Sequence, residues 1–348
     1  LDQISLLEGE SVTDAYADIG SLFGYAHQQA FLGFESFILE PEDITDDANT
    51  VYFSNIAPGA FNHEYSYVAN GYNGKLTFNG AIQYEDNLFL GINLNSHFID
   101  YTRFTYLYEG NSNPGSFVTD VGFENTLRAN GNGFSFQLGA IAKLTETFRI
   151  GLTYDSPTWL TMEEETTQFL ATNIDQGGGA TAQINLDPRI INIFPRYDLR
   201  TPAKFTGSAA LVLGKIGLIS FDYSRQNFSN IRLQPESDPA FVVQNDIISN
   251  ALKAANSYRI GGEIRHDRFS FRGGYKLIES PYENDTFYGD LTGYSLGIGY
   301  SFGKAKIDFA FQDSEREIGY RLYDIGLTDA ANVNAENTEF TLTLSWTL

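Results

Sequence analysis

Charged side chains that recur at every second position are the residues from which this chain could draw its chemistry. Arg149, Arg259, Glu263, Arg265, Arg272, Lys276, Lys306 and Asp308 all fall on the polar side of segments whose other side is apolar. Two uses fit such a pattern. The planar guanidinium of Arg149, Arg259 or Arg272 could receive a ligand carboxylate bidentately. Alternatively the charges satisfy one another across neighbouring strands, with Glu263 held between arginines. A second set is apolar: Leu22, Phe23, Phe31, Phe34 and Phe37 recur at roughly helical spacing. They form either a patch that captures a hydrophobic ligand or the stripe that packs a helix onto its neighbours.

Catalytic chemistry finds little footing. The four histidines, His27, His63, His97 and His266, sit in no nucleophile or zinc motif, and there is no cysteine. The expectation is a protein that is not an enzyme and carries no cofactor. The acidic runs Glu40–Asp47 and Glu163–Glu165 lack EF-hand spacing and read as solvated loops rather than metal sites. The net charge is −22 with no basic stripe, so nucleic acid is a poor partner.

The elements that must position these residues are strands. No run of 18 apolar residues exists, which excludes a helical membrane span. Aromatics reach 15%, with 28 Phe and 21 Tyr beside 33 Gly, as suits strands with an apolar face and aromatic girdles. From Leu76 onward the hydrophobic period is two. Leu76, Phe78, Ile82 and Tyr84 alternate with Thr77, Asn79 and Gln83, and Tyr294, Leu296, Ile298 and Tyr300 alternate with Ser295, Gly297 and Gly299. Eleven such strands can be counted through Trp346 and Leu348. Short turns at Glu85–Asn87, Thr145–Glu146, Gly214–Lys215, His266–Asp267 and Gly303–Lys304 alternate with long polar connections around 109–131, 160–199, 229–255, 280–291 and 322–336. One apolar face, one polar face and turns of two lengths are the pattern of an all-β transmembrane antiparallel barrel, with periplasmic turns and extracellular loops. The first forty residues instead carry one or two amphipathic helices, followed by an acidic turn-rich stretch. The expected organisation is a helical and acidic extracellular segment over 1–57 and barrel strands over 58–348. Eleven is an odd count, and Leu1 is not preceded by a signal peptide. Early strands are therefore expected to lie upstream of a processed or truncated start.

Several ordered segments carry a family resemblance. Arg149-Ile-Gly-Leu-Thr-Tyr-Asp-Ser-Pro-Thr-Trp159, Tyr258-Arg-Ile-Gly-Gly-Glu263, Phe271-Arg-Gly-Gly-Tyr-Lys-Leu-Ile-Glu-Ser-Pro281 and Gly293-Tyr-Ser-Leu-Gly-Ile-Gly-Tyr300 resemble the FadL/TodX family of outer-membrane hydrophobic-compound transporters, in the form common among Bacteroidota-type bacteria. The resemblance implies a fourteen-stranded barrel in the bacterial outer membrane whose N-terminal hatch and first three strands are missing here. It also implies passive uptake of hydrophobic compounds such as long-chain fatty acids. Outer-membrane lipid and lipopolysaccharide, together with a hydrophobic small molecule, are then the expected partners. The hatch residues have no match in this chain, so their roles cannot be carried over. A barrel that carries no cargo and serves as a subunit of a larger outer-membrane assembly is the alternative, since one fold supports both roles.

Overall fold

The computed structural model describes residues 1–321 and 329–346. The chain opens on α1 (Val12–Phe23) and α2 (Tyr25–Glu35), followed by a two-stranded ladder of β1 (Leu39–Pro41) and β2 (Tyr52–Ser54). Three long strands come next: β3 (Phe61–Tyr84), β4 (Leu88–Asn111) and β5 (Val118–Lys143). After β6 (Phe148–Asp155), an excursion contains β7 (Trp159–Gly177), β8 (Ala180–Leu186), β9 (Asn192–Ile193) and β10 (Tyr197–Arg200). The hairpin of β11 (Lys204–Leu213) and β12 (Gly217–Asn227) leads to β13 (Arg232–Gln234) and α3 (Pro239–Ala251). The chain then continues through β14 (Ala254–His266), β15 (Phe269–Ile278), β16 (Leu291–Ser301), β17 (Ala305–Tyr320) and β18 (Ala331–Trp346).

All eleven strands expected from the alternation form, and they pair in the order β3-β4-β5-β6-β11-β12-β14-β15-β16-β17-β18 within a 16-stranded sheet. The five short turns are where the sequence puts them. Glu85, Asp267, Gly214 and Gly303 take positive φ there, the left-handed geometry that closes a tight antiparallel turn. Several long connections differ from expectation. The 109–131 connection shrinks to 112–117, because β4 runs on to Asn111 and β5 begins at Val118. The 160–199 stretch is largely strand, and the 229–255 connection holds α3. These extensions interleave Thr, Tyr, Asn and Gln with their apolar residues, and polar Thr166, Gln168 and Thr172 share the buried side of β7 with Leu170 and Ile174, so the hydrophobic period of two is blurred there. In the last connection, 322–328 lie outside the described residues, as does Leu348, the final outward position expected of the last strand.

The chain divides into two compact units, and β3, β4, β5 and β7 contribute to both. One comprises Leu1–Gly74, Phe98–Gly131 and Met162–Arg196. Its core is the helical segment. Ala15, Tyr16, Ile19, Phe31 and Leu32 pack with Ile4, Leu170 and Leu186. Ser11 caps α1 by accepting the Asp14 N–H at 3.1 Å, and Gly24, at φ 89°, ends α1 and starts α2. Within this core the Tyr16 hydroxyl donates to Gln168 Oε1 at 2.8 Å and accepts from Asn192 Nδ2 at 3.2 Å. Burial raises the Tyr16 pKa to about 12, so the hydroxyl stays neutral.

The other unit comprises Lys75–His97, Asn132–Thr161 and Tyr197–Leu348. Its burial is inverted relative to a water-soluble protein. The buried side chains of its strands include Asn95, Ser135, Ser224, Ser270 and Ser314. The exposed ones are Phe78, Leu152, Phe205, Phe271, Leu296, Phe309 and Leu342, all with the outward parity read from the sequence. A sheet that hides serine and asparagine while displaying phenylalanine and leucine is built for lipid on that face.

Candidate functional site

The polar face of the second unit is a hydrogen-bonded belt. Asn79 Nδ2 donates to Asn93 Oδ1 at 2.6 Å, and Asn93 Nδ2 donates to Gln137 Oε1 at 2.8 Å. Gln137 then bonds Asp155, and Asp155 pairs with Lys204 at 3.3 Å. That chain crosses five adjacent strands. Further along, Arg272 donates through Nε to Glu263 at 2.5 Å and through Nη1 to Asp308 at 2.6 Å. Arg265 also pairs with Glu263, and Lys306 lies 2.9 Å from Asp308. Of the two readings of these charges, Arg272 follows the ladder, with Glu263 between two arginines.

Arg259 and Arg149 do not join that ladder. Arg259 stands between Lys276 in the β14–β15 register and Asp222 in the β12–β14 register, and all three line a 560 Å³ cavity with Ser220 and Gln312. Arg149 lies opposite Lys143, and its buried Nε has no hydrogen-bond partner among the described residues. Arg149 and Lys143 face each other as cations across a ladder and repel, which favours an incoming anion there, whereas at Arg259 the Asp222 carboxylate offsets part of the same repulsion.

The helical set is divided by the structure. Phe31 is wholly enclosed, packed edge-on to Tyr16 with ring centroids 6.3 Å apart, so its place is in the core rather than on an outer patch. Leu22 and Phe23 stand exposed at the end of α1. Phe34 and Phe37 line a 640 Å³ pocket together with Leu39, Ile44 and Phe117. The Phe37 and Phe117 rings meet edge to face at 6.1 Å. Asn55 fixes both: its side-chain amide donates to the Phe37 carbonyl at 3.0 Å, and its own carbonyl accepts the N–H groups of Phe117 and Val118 at 3.0 and 3.2 Å. Phe37 adopts φ 63°, a left-handed conformation uncommon for an aromatic residue, which these bonds hold in place.

Two carboxylates border this pocket, Glu35 and Glu40. Burial raises the Glu35 pKa above its ordinary value, and the Leu6 N–H, 2.9 Å from Oε1, opposes that shift in part. Phe117 and Asn55 were not among the residues the sequence singled out. The run Asn113-Pro114-Gly115-Ser116 marks a tight turn just before Phe117, but nothing local indicates that its ring reaches Phe37.

An outer-membrane antiparallel β-barrel is the class of protein that inverted burial, alternating turn lengths and a polar inner belt define. Among solved structures, the chain is similar to a Pseudomonas aeruginosa FadL homologue, at 14% identity over 81% of this chain and 68% of that one, with a TM-score of 0.53. It is also similar to the CymD monoaromatic hydrocarbon channel (14% identity, 81% and 77% covered, TM-score 0.46) and to the Ralstonia pickettii toluene transporter TbuX (17%, 83% and 79%, 0.45). No family model matches the sequence, and no curated protein matches it. At such identities the likeness is one of fold: the chain has the fold of the FadL-type barrels, and that fold with its lipid-facing surface belongs to the bacterial outer membrane.

Proposed function

We propose that the chain is a passive outer-membrane conduit for small hydrophobic compounds, and that the pocket beside α2 is where the compound is first bound. The observation that carries this reading is the 640 Å³ pocket walled by Phe34, Phe37, Leu39, Ile44 and Phe117 in the helix-bearing unit. The fold supports the reading without specifying the cargo. The charges at the pocket's border are acidic, Glu35 and Glu40, and they oppose a fatty-acid carboxylate while leaving a neutral molecule unaffected. A neutral aromatic or aliphatic compound therefore fits this pocket better than a long-chain fatty acid. A fatty acid would need a cation for its headgroup, and Arg259 with Lys276, or Arg149, would supply one on the inward face. Leu22 and Phe23, exposed at the end of α1, would add apolar surface to the helix-bearing unit. Flux follows the concentration gradient, since the sequence carries no nucleotide-binding motif.

Each of the Phe37 and Phe117 rings offers a ligand an apolar contact of about 60 Å². At about 25 cal/mol per Å² its loss costs near 1.5 kcal/mol, or roughly tenfold in binding. Phe37→Ser and Phe117→Ser should each lower uptake of a limiting concentration of radiolabelled toluene by about that factor, with the amount of heat-modifiable folded barrel unchanged. Unaltered uptake in both variants would remove the pocket from the path.

A further inference from the structure

The lipid-facing side of the second unit holds a concavity that the uptake reading does not use. It has a volume of 920 Å³ and lies across β6, β11 and β12 and the strands beside them. Its floor exists because one outward row holds two small residues, Ala140 and Gly207. Ala140, Leu152, Gly207 and Tyr223 lie side by side in register, and a Cβ added at Gly207 would meet no atom within 4 Å. The row above is large: Tyr154 and Phe205 meet with tilted rings 4.8 Å apart and form a wall. At the end of that wall, opposite Phe205, stands Arg225, the one charged residue lining the groove.

Arg225 is out of place on an apolar face unless something anionic meets it there. Its guanidinium makes one described hydrogen bond, from Nη1 to the neutral Asn256 Oδ1 at 3.2 Å, an oxygen that also accepts the Tyr223 hydroxyl at 2.8 Å. The neighbouring carboxylate, Glu279, is engaged elsewhere: its Oε2 accepts the Asn256 backbone N–H at 3.0 Å and side-chain amide at 2.7 Å. The remaining donors of Arg225 meet no partner among the described residues. Height along the strand matters too. Arg225 lies eight residues beyond Gly217, the first residue of β12 after the short turn. At about 3.3 Å per residue and a tilt of about 40°, that is roughly 20 Å up an apolar band about 25 Å tall. Arg225 therefore sits at the headgroup level of the leaflet next to the long loops, with the apolar groove directly below it.

We propose that this groove docks one acyl chain of a phosphorylated outer-leaflet glycolipid of the lipid A type, with a phosphate of its headgroup on Arg225. The chain lies over Gly207 between Leu152 and Tyr223, and the phosphate completes the fork that Asn256 and Tyr223 orient. The match is one of charge and depth together. An inner-leaflet phospholipid presents its phosphate at the opposite end of the band, and free phosphate has nothing to place in the groove.

The test is native mass spectrometry of the full chain, extracted in mild detergent and titrated with purified lipid A, dephosphorylated lipid A, phosphatidylglycerol and inorganic phosphate. Gly207→Leu fills the groove in open space, and Arg225→Gln removes the charge. Each should lower lipid A occupancy at least fivefold. Dephosphorylated lipid A should bind the unaltered chain as weakly as lipid A binds Arg225→Gln, and Arg225→Gln should weaken it no further. Unchanged lipid A occupancy in folded Gly207→Leu and Arg225→Gln overturns the proposal. So does phosphatidylglycerol binding as tightly as lipid A, or inorganic phosphate displacing it. Where Gly207→Leu loses its heat-modifiable gel mobility, Arg225→Gln and the dephosphorylated lipid decide the matter alone. None of these readouts depends on uptake.

Discussion

Replacing Phe309 by arginine places a charge where the account puts lipid. Phe309 lies on β17, five residues beyond Lys304 in the short turn. At about 3.3 Å per residue and a tilt of about 40°, it stands about 12 Å above that turn, near the middle of a band about 25 Å tall. Its side chain is 42% exposed, lies level with Ile298 and Leu342 on the adjacent strands, and stacks against Phe340 at 6.1 Å. Nothing polar shares that row, so Phe309→Arg should destabilise the folded chain by about 2–4 kcal/mol, the cost of arginine near a bilayer midplane. The next residue, Ala310, faces the other way, between Gly297 and Thr341 and beside the Asp308 carboxylate, where a cation meets polar company. Ala310→Arg should therefore cost less than about 1 kcal/mol, a tolerance expected of wet inner faces. Equilibrium unfolding in denaturant from lipid vesicles, followed by tryptophan fluorescence and heat-modifiable mobility, gives both numbers. Equal losses, or a larger loss for Ala310→Arg, would refute the assignment of lipid and water to the two faces.

Two further outcomes follow from the same structure. Cysteines replacing Glu146, Lys215, Asp267 or Lys304 in the short turns should resist an impermeant thiol reagent on whole cells, whereas one replacing Glu236 in the exposed 235–238 turn should react; the reverse pattern would invert the orientation. Burial raises the Glu35 pKa, so the helical segment binds that proton more tightly than the unfolded chain does, and the stability tied to it is present below the ordinary carboxyl pKa and lost as pH rises through the raised value. Hydrogen exchange in α1 and α2, corrected for its intrinsic pH dependence, should accelerate across that window in the unaltered chain and show less acceleration in Glu35→Gln, and identical profiles would show that Glu35 is not the group responsible.

The barrel strands were legible because lipid imposes a rule the sequence must obey. Every second residue from Leu76 to Tyr84 or from Tyr294 to Tyr300 has to be apolar, and the short turns need residues that tolerate a left-handed backbone, as Gly214 and Gly303 do. That rule ends where the strands leave the membrane. Between Tyr101 and Asn111 the chain still pairs as β4, but both of its faces are half-buried and it mixes Thr, Arg, Tyr and Glu with Phe104 and Leu107 in no fixed alternation, so it reads as a loop. The helices were visible from their spacing, yet spacing could not say which aromatic faces inward. Phe31 and Phe34 are three residues apart on α2, and one is sealed against Tyr16 while the other opens on the pocket. Phe117 was hidden for a different reason. Its partner Phe37 is far away in sequence, and the link runs through Asn55, a residue whose type alone suggests only a turn. The charges show the same limit: parity identified the inward face, but the register was needed to see that Arg272 is neutralised by Glu263 and Asp308 while Arg259 lies between Lys276 and Asp222.

The most direct test of the central claim is initial-rate uptake of radiolabelled toluene, in parallel with radiolabelled oleate, by cells that display the folded protein in their outer membrane and by cells that lack it. The account predicts a rate of toluene entry that rises with the amount of folded barrel, needs no energised membrane, exceeds the gain for oleate, and falls about tenfold in Phe37→Ser. Entry of toluene that is the same with and without the protein, at verified abundance of folded barrel, would contradict it.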